Sequence, residues 1–176
     1  MRFSLLLLPV VLLAAGCDSA DYGDGRTEPD GAYLRAAATA TAATADAPGL
    51  RGGRPLTAAL SGASEVNGAG QTGVGDPDGT GSARVTVNPG QGRVCYDITV
   101  ANIDAPTRGH IHEAPAGRNG PIVVEFFEAT EPAALSGCVD VTRARARAIL
   151  RTPEDYYVNI HNAAFPAGAV RGQLSR

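Results

Sequence analysis

The segment Val94 to Val100 constrains this chain more than any other. Val94, Tyr96, Ile98 and Val100 alternate with Cys95, Asp97 and Thr99, the period-two pattern of a strand with one face buried. Val85 and Val87 repeat it upstream, and Tyr156 to His161 and Ala169 to Leu174 complete the set of strands. Pro121 to Phe127 is a β-branched and aromatic run, expected as a strand buried on both faces. Turn clusters separate the runs: Gly75 to Gly81, Asn88-Pro89-Gly90-Gln91-Gly92 and Ala116 to Pro121. Short strands punctuated by Gly and Pro predict an all-β, antiparallel sandwich or barrel. One short helix is predicted over 142–151, ending before Pro153, with Arg143, Arg147 and Arg151 along a solvated side.

The N-terminus carries a different signal. Arg2 precedes the apolar run Leu5 to Ala15, too short to span a bilayer as a helix but suited to an export signal. The run ends in Leu13-Ala14-Ala15-Gly16-Cys17, which resembles a bacterial lipobox, although Ala14 stands where Leu is usual. Residues 1–16 are therefore expected to be a lipoprotein-type signal peptide, with Cys17 as the lipidated residue. Ordinary cleavage of a secreted protein is the alternative, and export follows from both. Localisation is expected at the cell envelope through the lipid anchor, or outside the cell. Residues 17–54 are rich in Ala, Thr, Gly and Asp, with the low-complexity core Ala36 to Thr44. They hold too little large apolar surface to repay ordering and read as a disordered tether. The folded domain is expected from residue 55 to residue 176.

Three cysteines are present. With Cys17 taken by lipid, Cys95 and Cys138 remain as an even pair in an oxidising compartment, which points to a disulfide. Two buried free thiols are the alternative. The net charge is −3 and every basic residue is arginine, so no polybasic face points to nucleic acid. No lysine exists to complete a phosphate-cradling Gly-x-x-x-x-Gly-Lys. There is also no Gly-x-Ser-x-Gly elbow and no His-Glu-x-x-His. Glu125 and Glu128 read as a solvated edge, and Asp76-Pro77-Asp78-Gly79 as a turn rather than a calcium loop. No catalytic residue is assigned, and the chain is expected not to be an enzyme.

Several motifs together resemble one family. Leu60-Ser61-Gly62-Ala63-Ser64-Glu65-Val66, Gly109-His110-Ile111-His112, Gly117-x-x-Gly120-Pro121, Tyr157-Val158-Asn159-Ile160-His161 and Pro166 to Leu174 are similar in order and spacing to the CHRD (chordin) domain. The resemblance runs from Leu56 to the C-terminus. It departs at Asn67-Gly68, where the family usually has prolines. It implies an immunoglobulin-like β-barrel or sandwich. In animals the domain occurs in an extracellular growth-factor antagonist, and in microbes it stands alone in exported proteins. Growth-factor binding does not transfer to a chain with a lipobox-like start.

All three histidines fall in two strand-like pieces. Side chains alternate along a strand, so His110 and His112 point the same way, and Tyr157, Asn159 and His161 share one face of another strand. Two readings follow. In the first, the imidazoles and Asn159 tie loops into a polar core, with Glu65 and Arg171 as a buried ion pair. In the second, His110, His112 and His161 present nitrogens to one copper or zinc ion. The copper–zinc superoxide dismutases also place a His-x-His on an immunoglobulin-like barrel. They need more histidines than this chain has, which excludes their chemistry. The function favoured from sequence is a non-enzymatic envelope module, without cofactor, binding a protein or glycan partner. A three-histidine copper or zinc protein is the alternative.

Overall fold

The computed structural model describes residues 52–128 and 133–176, so the signal, Cys17 and nearly all of the tether lie outside the described residues. Eight strands form one antiparallel sheet. In chain order they are β1 (Arg54–Ser61), β2 (Thr80–Asn88), β3 (Arg93–Ala101), β4 (Pro106–Glu113), β5 (Ile122–Glu128), β6 (Ser136–Asp140), β7 (Tyr156–Asn162) and β8 (Val170–Gln173), with helix α1 (Arg143–Arg151) between β6 and β7. The order across the sheet is β5-β4-β7-β8-β1-β2-β3-β6. The sheet curls into a nearly closed barrel, and the expected all-β class with one short helix is the one observed.

The period-two runs explain the closure. Leu56, Ala58 and Leu60 of β1, Val85 and Val87 of β2, Val94, Ile98 and Val100 of β3, and Ile111, Val124, Val158 and Ile160 all enter one buried cluster. Near the two ends of the sheet, Tyr96 stacks on Phe126 with ring centroids 4.4 Å apart and donates its hydroxyl to Phe126 O at 3.2 Å. The expected disulfide is present: Cys95 and Cys138 are partners in the β3–β6 register, and their sulfurs are bonded. Thr142 caps α1 by accepting from the Arg145 amide. Ala146 and Ile149 face the core, while Arg143, Arg147 and Arg151 are exposed as expected.

One strand departs from expectation. β5 is not buried on both faces: only Val124 and Phe126 are buried, Glu125 is exposed, and Ile122 is 52 % exposed. It ends the sheet order, and bulges at Gly109/His110 and Ile111/His112 break its register with β4. Both its glutamates, Glu125 and Glu128, face solvent. The strand buried on both faces is β7, every residue of which is buried. Tyr156, Val158 and Ile160 meet the apolar core. The opposite face carries Tyr157, Asn159 and His161, and loops rather than a second sheet cover it.

Candidate metal centre

Register brings the polar face together. In the β4–β7 ladder Arg108 pairs with His161, His110 with Asn159 and His112 with Tyr157. In the β7–β8 ladder Asn159 pairs with Arg171 and Tyr157 with Gln173. Paired residues on antiparallel strands share a face. His110, His112 and His161 therefore meet through strand pairing alone, although two of them lie on β4 and one on β7. One ring nitrogen from each lies within 4.8 Å of the others. His110 and His161 are almost fully buried, at 3 % and 6 % exposure, and His112 is half-buried.

Two loops orient the rings. His112 Nδ1 is 2.9 Å from Gly120 O, and His161 Nδ1 is 3.1 Å from Pro166 O. A carbonyl can only accept, so both Nδ1 atoms carry their protons, and each Nε2 keeps a lone pair. The His161 Nε2 lone pair faces His110 Nδ1 at 3.1 Å, so His110 donates from Nδ1. His112 Nε2 is buried and has no hydrogen-bond partner among the described residues. A carbonyl behind the ligating imidazole is the outer support that metal-bound histidines use. Nitrogens about 2.0 Å from a shared ion stand about 3.3–3.5 Å apart. His110 Nδ1 and His161 Nε2 are already closer than that, and binding through both moves the His110 proton to its Nε2; the widest separation must close by at most about 1.5 Å.

The electrostatics keep the rings neutral. Burial pushes His110 down to about 4, helped by the neighbouring His161 and His112 rings and by Arg108. Burial likewise lowers His161 to about 4; its bond to Pro166 O opposes the shift, and Arg108 and His112 add to it. His112 is lowered by burial and by Arg171, against the bond to Gly120 O. A metal ion needs unprotonated nitrogen, and burial favours that form in all three rings.

Arg171 anchors the loop behind His112. Its guanidinium donates to Pro115 O, Arg118 O and Asn119 Oδ1, and sits 3.3 Å from the centre of the Tyr157 ring. Tyr157 stacks on His112, with centroids 4.8 Å apart and planes at 6°, and its hydroxyl accepts from the Gly120 amide. Gly120 is required at that position, because a Cβ would fall 1.9 Å from Glu113 O.

The expected ion pair is a looser arrangement. Glu65 and Arg171 are buried in the same layer. Among the described hydrogen bonds, however, the donors of Arg171 go to the 115–119 loop, and Glu65 Oε2 instead accepts from Asn159 Nδ2 at 3.4 Å. Burial raises Glu65 to about 7, against the attraction of Arg171 and the bonds from the Val66 backbone and Asn159. Gly168, at φ 143°, allows the backbone to pass against this carboxyl, 2.6 Å from where its Cβ would be. The 76–79 turn is present, but Asp76 is buried in it rather than solvated.

Sequence reasoning selected His110, His112, His161, Glu65, Asn159 and Arg171. It missed Tyr157 as the stacking partner and Gly120 and Pro166 as the orienting carbonyls. The Gly117-x-x-Gly120-Pro121 motif was the available signal for the first of these carbonyls.

The CHRD domain matches the chain over residues 56–174, and the protein belongs to that family. No curated protein and no solved structure matches the chain.

Proposed function

We propose that this protein is an exported, lipid-anchored CHRD module that binds and does not catalyse, and that its ligand is a single copper or zinc ion held by His110, His112 and His161. The carrying observation is the buried, unpartnered Nε2 of His112, with Nδ1 fixed by Gly120 O. A buried polar atom without a partner is costly, by about 1–3 kcal/mol. An ion shared with the other two imidazoles removes that cost. Storage or delivery of the metal suits a neutral, pre-oriented, loop-covered site. The test is metal analysis of chelator-washed, reloaded protein. One ion per chain, lost in His112→Ala and His161→Ala, supports the reading. No retained ion, or retention unchanged in both variants, removes it and leaves the histidines as braces.

A protein or glycan partner at the envelope belongs to the same proposal, with the barrel displayed on the 17–54 tether. Recovery of a specific partner from envelope extract by the lipidated protein is its test. The anchor itself is checked by intact mass of the membrane fraction: the mature chain begins at a lipid-modified Cys17, and any other terminus contradicts it.

A further inference from the structure

The charge around the histidine cluster bears on which ion it takes. This step rests on the metal reading above and deepens it. The three candidate ligands are all neutral imidazoles, and among the described residues no carboxylate or thiolate belongs to the cluster. The two cysteines of the domain are joined to each other. Arg108 donates to Pro166 O at 3.1 Å, the same carbonyl that accepts from His161 Nδ1, which sets a guanidinium directly behind one ligand. Arg171 lies against Tyr157, whose ring stacks on His112, which sets a second guanidinium behind another. The acid in register with His110 is Glu125, which is exposed and outside the cluster. The buried acid of this face, Glu65, is bonded to Asn159 and lies within the field of Arg171.

A bound ion is thus given no compensating negative charge by its ligands, and it has cations on two sides. The cost of placing an ion in a poorly polarisable interior grows with the square of its charge, so a dication costs about four times as much as a monocation. Repulsion by the two arginines doubles as well. Divalent zinc sites with three protein ligands commonly keep a water in the fourth position, whereas His112 Nε2 is closed off from solvent.

We infer that the cluster selects a monovalent d10 ion, cuprous copper, over divalent zinc or cupric copper, through its uncharged ligands and the flanking Arg108 and Arg171.

The test uses the full mature chain with the Cys17 sulfur as its lipid thioether or, in unlipidated protein, alkylated, since a free thiol would itself take cuprous ion. Cu(I) is titrated anaerobically against bicinchoninate and Zn(II) against a chromophoric zinc chelator, in wild type, Arg108→Gln and His112→Ala. The expected result is one Cu(I) per chain, bound at least about tenfold more tightly than Zn(II), a gap of about 1.4 kcal/mol. Arg108→Gln is expected to narrow that gap by tightening Zn(II) more than Cu(I), and His112→Ala to abolish both. Zn(II) binding equal to or tighter than Cu(I) overturns the selectivity but leaves the metal site standing. An Arg108→Gln variant that moves both ions equally overturns the charge argument. Failure of wild type to bind either ion, or Cu(I) binding that persists in His112→Ala, overturns the site and the inference together.

Discussion

Replacing Glu65 with Gln isolates the most perturbed acid of the polar face. Glu65 is 2 % exposed, and its carboxyl is raised from 4.5 to about 7. Between those two values the native protein holds a proton that the unfolded chain has released. Stability is therefore lost as pH rises through this window, and the full cost, about 3 kcal/mol, is present above pH 7. The neighbouring atoms say why Gln should relieve it. Asn159 Nδ2 donates to one carboxyl oxygen, while Glu65 Oε1 and Asn159 Oδ1 are both buried acceptors without a partner. Gln supplies one more donor at nearly the same shape, so that the two amides can pair reciprocally. Glu65→Gln should leave stability at pH 4.5 within about 0.5 kcal/mol of wild type and raise it at pH 8 by about 2–3 kcal/mol. In a domain of this size that is a rise in Tm of about 8–12 °C at the higher pH. Urea or thermal denaturation of both proteins at the two pH values reads it, and histidine effects cancel in the difference. Destabilisation at pH 8 would show that attraction to Arg171 outweighs burial, and an equal shift at both pH values would show that it cancels burial; either refutes the raised carboxyl.

Further outcomes follow from other parts of the barrel. In the Glu65→Gln background, where the opposing trend is gone, stability should fall as pH drops from 6.5 towards 4. There the unfolded chain protonates His110 and His161 and the native state does not, at up to about 3 kcal/mol per ring. A flat urea-denaturation profile over that range contradicts the burial of neutral imidazoles. Cys95→Ala with Cys138→Ala opens a link spanning 43 residues and should cost up to about 4 kcal/mol in urea denaturation; a loss under about 0.5 kcal/mol would show that strand pairing alone holds β6. Gly120→Ala places a Cβ against Glu113 O and should destabilise the fold by about 1–3 kcal/mol. It should also remove the His112 Nδ1 bond, which imidazole 15N shifts would report, and an unchanged spectrum would refute the role of that carbonyl.

How far these features were legible in the sequence depended on whether they are local. Alternation along β3, β2 and β7 is a property of a few adjacent residues, and it correctly placed Val94 to Val100 and both faces of Tyr156 to Asn162. It also put His110 and His112 on one side. The meeting with His161 needed the β4–β7 register, which no short pattern encodes. β5 was misjudged because apolar composition does not reveal a strand's place in the sheet, and as the end strand its solvent side tolerates Ile122 and Glu125. The pairing of Arg171 with Glu65 assumed that opposite buried charges must touch. In the fold, the guanidinium fork satisfies the 115–119 loop, and Asn159 meets the carboxyl. Apart from the Gly117-x-x-Gly120-Pro121 motif that marked the Gly120 turn, nothing local selects a carbonyl partner such as Pro166 O, since every residue offers one and loop geometry chooses among them.

The central claim is that one metal ion sits among His110, His112 and His161, and X-ray absorption at the edge of the bound metal tests it most directly. The reloaded protein should show three nitrogen scatterers at about 2.0 Å with the outer-shell pattern of imidazole rings and no sulfur, and the pattern should weaken in His161→Ala. A first shell of oxygen, a sulfur scatterer, or a spectrum identical in wild type and His161→Ala would contradict the claim.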